Sequence, residues 1–330
     1  MKKLVVIMIV LAAFSFQAMV ALAAEQKKWE IVLVAKLEHP MFDAMEKGFN
    51  QANKDFPDIH AYKVAPAEAD AAQQVALVED QIAKGVNAII VVPNDPGALE
   101  PVFKKAMDAG ILTFTHESVL SQNIKFDIEA FDNAAFGRHH MDNLVKYMGD
   151  EGGYICFVGN LTAVTHNQWV DAEIAWQKEK YPKLKLLRDR MVDDESTEVA
   201  YQKTLELIKT YGDELKGVIG SSASTAPGVG IAVAEKGLQK KIAVVGTGTP
   251  KMAAAGLEDG SIKVVSIWDP VKIGYACAWI ARELLNGGEI KDGMEIPQLG
   301  KITIKDKVIY GDIGGIMDFT KDNYKDYLYF

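Results

Sequence analysis

The chain has 330 residues and a formal charge of −9, from 36 basic and 45 acidic side chains. No basic patch of the kind that nucleic-acid binding needs is present, and the acidic balance suits a protein that does not adhere to anionic lipid. The length is sufficient for two domains, each with its own core.

The first residues read as a targeting segment. Met1-Lys2-Lys3 is basic, and Leu4 to Val20 is an apolar run broken only by Ser15 and Gln17. Ala21-Leu22-Ala23 then has the small-x-small pattern of a signal-peptidase site, so residues 1–23 are expected to be a signal peptide. Cleavage there leaves about 307 residues, with 34 basic side chains against 45 acidic ones and a charge of −11. A membrane anchor is the alternative, but the apolar run is interrupted and turns polar at Glu25-Gln26-Lys27-Lys28. No cysteine stands at the cleavage point, which argues against a lipoprotein signal. The expectation is an exported, soluble protein.

Ile31 to Val34 is an aliphatic run that reads as a buried strand. A polar turn, Lys36-Leu37-Glu38-His39-Pro40, follows it. Met41, Phe42, Met45 and Phe49 then recur at helical spacing. In open parallel sheets ligands gather at the carboxyl ends of strands, so Lys36–Phe42 is the first candidate for a site. An ordinary βα connection accounts for it equally well. The same grammar continues along the chain. Strands are expected at 61–64, 88–92 and 111–115, and helices at 71–84 and 99–109, the latter closed by Gly85 and Gly110. Strands at 154–158, 184–187, 217–220, 242–245 and 264–267 alternate with helices at 168–181, 199–211, 229–235, 252–259 and 273–285. This alternation predicts an α/β protein with parallel sheets covered on both faces. There are too many strands for one sheet, so they divide into two doubly wound lobes, with Asp127–Asn133 as a first crossing and a helix at 136–148 opening the second lobe.

The known catalytic signatures are missing. Gly228-Val229-Gly230 lacks the third glycine of a dinucleotide fingerprint, with Val233 in its place, and reads as a helix start. There is no P-loop and no G-x-S-x-G elbow. His139 and His140 point about 100° apart on a helix, poorly placed to chelate together, and read as surface or capping residues. Without a ligand set, no metal and no cofactor is expected. Cys156 and Cys277 each sit in an apolar segment and read as two buried thiols, although in an oxidising compartment they could pair.

Polar and aromatic groups do collect at strand ends in both halves. Lys36, His39, Phe42, Asn94-Asp95 and His116-Glu117 fall in the first. Thr165-His166-Asn167-Gln168-Trp169, Ser221-Ser222, Thr247, Thr249 and Trp268-Asp269 fall in the second. Sugars need this mixture, planar polar groups for hydroxyls and rings for the apolar face. Any single member is more often a cap or a turn, as Asn94-Asp95-Pro96 suggests.

With HPMFDAMEKGF near the start, VNAIIVVPND, FDN at 131–133, GTGTP at 246–250 and WDPVKIGYACA at 268–278, the chain resembles the periplasmic sugar-binding proteins of ABC importers, of the ribose-binding type. Within that group it is most similar to the autoinducer-2 and rhamnose-binding branch. Lys36 matches that branch's ligand lysine and Glu117 stands where it has a ligand aspartate. HNQWV at 166–170, Ala223 and Trp268-Asp269 match as well. Thr165-His166 replaces its Asp-Gln pair, and Ser221 its ligand-contacting proline.

The resemblance implies a type I periplasmic binding fold, two lobes joined by three crossings, the others near 266–269 and 297–301. The first lobe then comprises 27–132 plus 268–298, and the second 133–267 plus 299–330. It implies a non-enzymatic, periplasmic solute-binding protein that takes a small sugar or sugar-like ligand to an ABC permease in the inner membrane. A ligand-presenting receptor for chemotaxis or autoinducer-2 signalling, partnered by a chemoreceptor or sensor, is the alternative. The ligand set it implies is Lys36, His39, Phe42, Glu117, Thr165, His166, Asn167, Ser221, Ala223 and Trp268.

Overall fold

Residues 28–312 and 315–329 are described by a computed structural model, so the leader segment read at 1–23 lies outside the described residues. In chain order the first lobe opens with β1 (Trp29–Val34), α1 (Pro40–Asp55), β2 (Ile59–Val64), α2 (Ala71–Lys84), β3 (Ala88–Val91), α3 (Pro96–Asp108), β4 (Leu112–Thr115) and β5 (Phe126–Glu129). The second lobe holds α4 (Asn133–Met148), β6 (Gly152–Val158), α5 (Val164–Lys180), β7 (Leu184–Leu186), β8 (Met191–Val192), α6 (Thr197–Tyr211), β9 (Leu215–Gly220), α7 (Thr225–Glu235), β10 (Ala243–Thr247), α8 (Pro250–Asp259) and β11 (Val264–Ile267). The chain ends with α9 (Pro270–Leu285), a hairpin of β12 (Glu295–Ile296) and β13 (Gly300–Lys301), then β14 (Thr303–Lys305), β15 (Val308–Tyr310) and β16 (Met317–Phe319).

Each lobe is built on a seven-stranded sheet. The first runs β14-β15-β5-β4-β3-β1-β2, and the second β16-β11-β10-β9-β6-β7 with β8 also on β6. Pairing is parallel apart from β14 on β15 and β16 on β11. Period-two alternation divides β1 between two cores. Ile31 and Leu33 pack under α1 and α9, whereas Val32 and Val34 join Val78, Leu99 and Phe103 on the opposite face. A sheet buried on both faces requires this continuous aliphatic composition.

Four helices begin earlier than apolar spacing suggests. Pro40, Pro96, Pro250 and Pro270 each stand at a helix N-terminus behind a capping side chain, His39, Asp95, Thr249 and Asp269 respectively. Proline is preorganised for that first turn and has no N–H to leave unpaired. Gly228 and Gly230 lie inside α7. Gly228 faces Thr197, and a Cβ on it would come 2.3 Å from that residue's carbonyl oxygen, so its role is close helix packing.

The crossings follow from the pairing. The chain leaves the first sheet after β5 and enters α4, which packs on α5 and beneath β9 and β10. It returns between β11 and α9, because α9 lies against α1. Gly48 and Gly274 make that contact possible: a Cβ on Gly48 would sit 2.1 Å from Val271 O, and one on Gly274 2.0 Å from Met45 O. The third crossing falls later than the resemblance implies. Val308–Tyr310 pair in parallel with Asp127–Glu129 of the first lobe, and Met317–Phe319 pair with Val265–Ile267 of the second. Residues 299–310 therefore belong to the first lobe, and the chain crosses between Tyr310 and Met317, not at 297–301. Strands of three residues carry no local mark of which sheet they join.

Two side chains also depart from expectation. His140 is fully buried, its Nδ1 3.1 Å from Glu173 Oε1. His139 is half-buried, its Nε2 2.7 Å from Asp318 Oδ1. Cys156 and Cys277 are both free and buried, in different lobes.

Candidate functional site

The carboxyl ends of the two sheets face each other. Three contacts join them: Lys36 Nζ to Glu195 Oε1 at 3.5 Å, Thr162 Oγ1 donating to Asn94 O at 3.1 Å, and His39 Nε2 to Ser224 Oγ at 3.5 Å. The centre is an ion pair. Lys36 Nζ donates to Glu117 Oε2 at 2.9 Å, and both side chains are under 5% exposed.

The local sequence builds this geometry. Lys36 directly follows β1. Gln74 on α2 donates to the carbonyls of Ala35 and Val92 and accepts from Asn94 N, tying together the ends of β1 and β3. Asn94 Nδ2 donates to Lys36 O at 2.8 Å. Glu117 adopts φ +60, an uncommon conformation for a side-chain-bearing residue. The turn is held by Asp127 Oδ1, which accepts from Thr115 Oγ1 at 2.6 Å and Ser118 N at 3.0 Å. From the second lobe, Asp194 and Glu195 both have φ +54. Asp193 secures that turn by accepting from Glu195 N at 3.0 Å and from the Thr225 hydroxyl.

Electrostatics follow from burial and from these partners. Burial pushes the Glu117 carboxyl up, but Lys36, then His116 and His166, outweigh it and hold the pKa at about 2. Burial also opposes the Lys36 ammonium, and Glu117 and Glu195 outweigh it, so the lysine titrates above its ordinary range. Burial, reinforced by Lys36, lowers His166 to about 4, which leaves the ring neutral at pH 7. His166 Nδ1 accepts from Gly159 N at 3.2 Å, which places the proton on Nε2. Burial lowers His39 as well. Burial raises Asp193 to about 7, against the opposing bond from Thr225. Beneath the site, burial raises both Asp127 and Glu129, and the charge of Asp127 pushes Glu129 up further.

Several buried polar atoms at these strand ends have no protein partner: Asn94 Oδ1, His116 Nε2, Thr165 Oγ1, Ser221 Oγ, Thr247 Oγ1 and Trp268 Nε1. Such atoms are rare in folded proteins and mark places where another polar molecule can be received. Rings line the floor. Trp268, at the second crossing, meets His116, Phe131, Phe136 and Trp169 with centroids 5.5 to 6.0 Å apart.

Of the ten residues singled out from sequence, Lys36 and Glu117 are in direct contact, and His39 and His166 lie within electrostatic reach of Lys36 and Glu195. Ser221, Ala223 and Trp268 stand buried just past carboxyl strand ends of the second sheet, and Thr165 is buried in the first turn of α5. Phe42 is in the first core, edge-on to His39 at 6.2 Å. Asn167 is placed differently. Its amide donates to Asn160 O and Ala163 O and accepts from Arg190 Nη1 at 2.7 Å, which commits it to positioning the start of α5. Glu195 was missed, because Asp193-Asp194-Glu195 reads as a solvated acidic turn. Its one sequence signal is its place after a short strand. A surface depression of about 650 Å3 lies elsewhere, between Asp132, Asp292, Lys301 and Tyr310. Among the described residues, no group of three or more His, Cys, Asp or Glu is arranged to hold a metal ion.

Comparison with known proteins gives three kinds of match. A family profile described as periplasmic binding protein domain matches residues 31–289. The D-xylose-binding periplasmic protein of Haemophilus influenzae is 24% identical over 242 residues, covering 71% of this chain and 70% of the relative. An ABC transporter solute-binding protein from Clostridium phytofermentas, solved with bound L-rhamnose, superposes with a TM-score of 0.81 at 22% identity, covering 91% of this chain and 98% of that one. LsrB from Clostridium saccharobutylicum, in complex with AI-2, also gives 0.81 at 22% identity, over 90% and 99%. The two structural matches show a shared fold.

Proposed function

Since the chain belongs to the family of periplasmic binding protein domains, a family of binding proteins rather than enzymes, we propose that it captures a small sugar or sugar-like ligand between its lobes and delivers it to an ABC permease. The observation that carries this reading is the crevice itself. Its polar groups come from both lobes, Lys36 and Glu117 from one and Glu195 from the other, and buried hydrogen-bonding atoms without protein partners surround them. A polyhydroxylated molecule supplies donors and acceptors to both sides at once. It therefore stabilises the joined arrangement of the lobes, which is the form a membrane partner can recognise.

Lys36 and Glu117 contact the ligand from the first lobe, with Thr165, His166 and Ser221 opposite and the Trp268 ring against an apolar face. The D-xylose for which one relative is named and the L-rhamnose bound in another support this ligand class. On this reading the protein works in the periplasm after removal of its leader. The alternative output is presentation of the ligand to a chemoreceptor or sensor. Capture of permease or sensor by the ligand-loaded protein separates the two.

The test is a thermal-shift screen against pentoses, deoxyhexoses, polyols and autoinducer-2. Ligand at about a hundredfold excess over its dissociation constant adds roughly 2.7 kcal/mol of stability. For the compound that shifts the melt, Lys36→Ala weakens binding by about 1–3 kcal/mol, the range for a hydrogen bond to a charged group. Absence of a shift with every compound, or turnover of a bound one, overturns the proposal.

A further inference from the structure

The crevice is unbalanced in charge. One ammonium, Lys36, is held between two carboxylates, Glu117 Oε2 at 2.9 Å and Glu195 Oε1 at 3.5 Å. The Glu195 side chain is 10% exposed, and the other two less. Among the described residues, Lys36 is the sole Lys or Arg that pairs with either carboxylate. The neighbouring imidazole of His166 accepts a backbone N–H at Nδ1, as a neutral ring does. One negative charge is therefore left over in a largely desolvated space.

The unpartnered atoms of the first lobe lean the same way. Asn94 spends its amide N–H on Lys36 O, which leaves Oδ1, an acceptor, free and buried. His116 spends Nδ1–H on Ile128 O at 2.6 Å, and its Nε2 is buried without a protein hydrogen-bond partner. That nitrogen lies 4.0 Å from Glu117 Oε1, itself an acceptor. A molecule that completes the first-lobe surface has to donate to Asn94 Oδ1 and the carboxylates, while Trp268 Nε1–H beyond them asks for an acceptor. An excess buried carboxylate is relieved by a cation and aggravated by an anion.

From this juxtaposition we propose that the crevice prefers an aminated sugar or amino polyol, its ammonium completing the charge around Glu117 and Glu195, and that Glu195 sets this preference. The inference rests on the sugar-binding reading above and narrows it, excluding sugar acids. Glu195 suits the role because its turn is fixed by Asp193 and because it approaches from the lobe opposite Lys36. A cationic ligand therefore strengthens the bridge between lobes.

The test is calorimetric titration of the protein at pH 7 with matched sets: glucose, galactose and mannose, their 2-amino-2-deoxy analogues and their uronic acids. The expected result is that an amino member binds on the order of tenfold or more tighter than its neutral partner, with no binding of the uronic acids. Glu195→Gln is expected to erase that tenfold gap between the amino and neutral members of a set. Should E195Q fail to fold, the wild-type series alone decides. A neutral or acidic member binding as tightly as the amino one overturns the charge preference and leaves the sugar-binding reading intact. No binding by any member overturns both.

Discussion

Replacing Lys36 by methionine keeps most of the stem's volume and removes the charge that two buried carboxylates share. The wild-type Glu117 carboxyl is held at about 2 against an ordinary 4.5, and a depression of that size corresponds to about 3 kcal/mol of stability. A carboxylate with a lowered folded pKa contributes stability fully present above its unfolded pKa and lost as pH falls through its folded one. The wild type therefore loses this contribution between about pH 4.5 and pH 2. In Lys36→Met, burial acts on Glu117 without its counter-charge, so the cost at pH 7 is about 3–5 kcal/mol, the range for breaking a buried pair. The raised pKa of Lys36 describes the same interaction from its other end and is not added. Urea unfolding at pH 7 and at pH 3 checks this, with the two proteins expected to differ much less at the lower pH. A variant within about 0.5 kcal/mol of wild type at pH 7, or a cost that is equal at both pH values, refutes the reasoning.

Asp193, raised to about 7 by burial, has the opposite sign. Its folded form holds a proton that the unfolded chain releases, so wild-type stability falls as pH rises from about 4 to about 7. Asp193→Asn removes that slope and is expected to gain on the order of 1–3 kcal/mol at pH 8 and little at pH 4, measured by denaturant melts. An unchanged slope contradicts the assignment. Gly274→Ala drives a Cβ to within 2.0 Å of Met45 O and is expected to cost about 1–3 kcal/mol or more. A loss below about 0.5 kcal/mol means that α1 and α9 do not pack this closely. Cys156 and Cys277, buried thiols raised chiefly by desolvation, are expected to react with a thiol reagent only on unfolding. Rapid labelling of either in the native protein contradicts their burial.

The sequence was most informative where structure is local. The aliphatic runs of β1, β3 and β6 and the periodic faces of α2 and α6 carry their assignments in neighbouring residues, so the α/β alternation was legible. Position after a strand likewise marked Lys36 and Glu117 as candidates. What failed was long-range. The placement of β15 beside β5 joins residues far apart in the chain, and nothing in Val308–Tyr310 announces it. The burial of His140 depends on Glu173, 33 residues away. Asn167 looked available because the Arg190 that occupies it is 23 residues further on. Glu195 was hidden by its neighbours. Three acidic residues in a row suggest a solvated turn, and only the positive φ angles turn one of them into the crevice.

The α1–α9 contact has a consequence for the order in which the molecule can form. Tyr275 hydroxyl donates to Asp55 Oδ2 across 220 residues, and Trp29 Nε1 to Asn286 Oδ1 across 257. During synthesis, β1 and α1 emerge early with the glycine-bearing flank of α1 uncovered, and the helix that covers it arrives only after nearly all of the second lobe. The second lobe is continuous from α4 to β11 and lacks only the edge strand β16, so it can condense first, while the first lobe stays incomplete until the chain is almost finished. Contacts of such large sequence separation slow folding. The amino-terminal strand and helix, β1 and α1, thereby remain uncovered the longest.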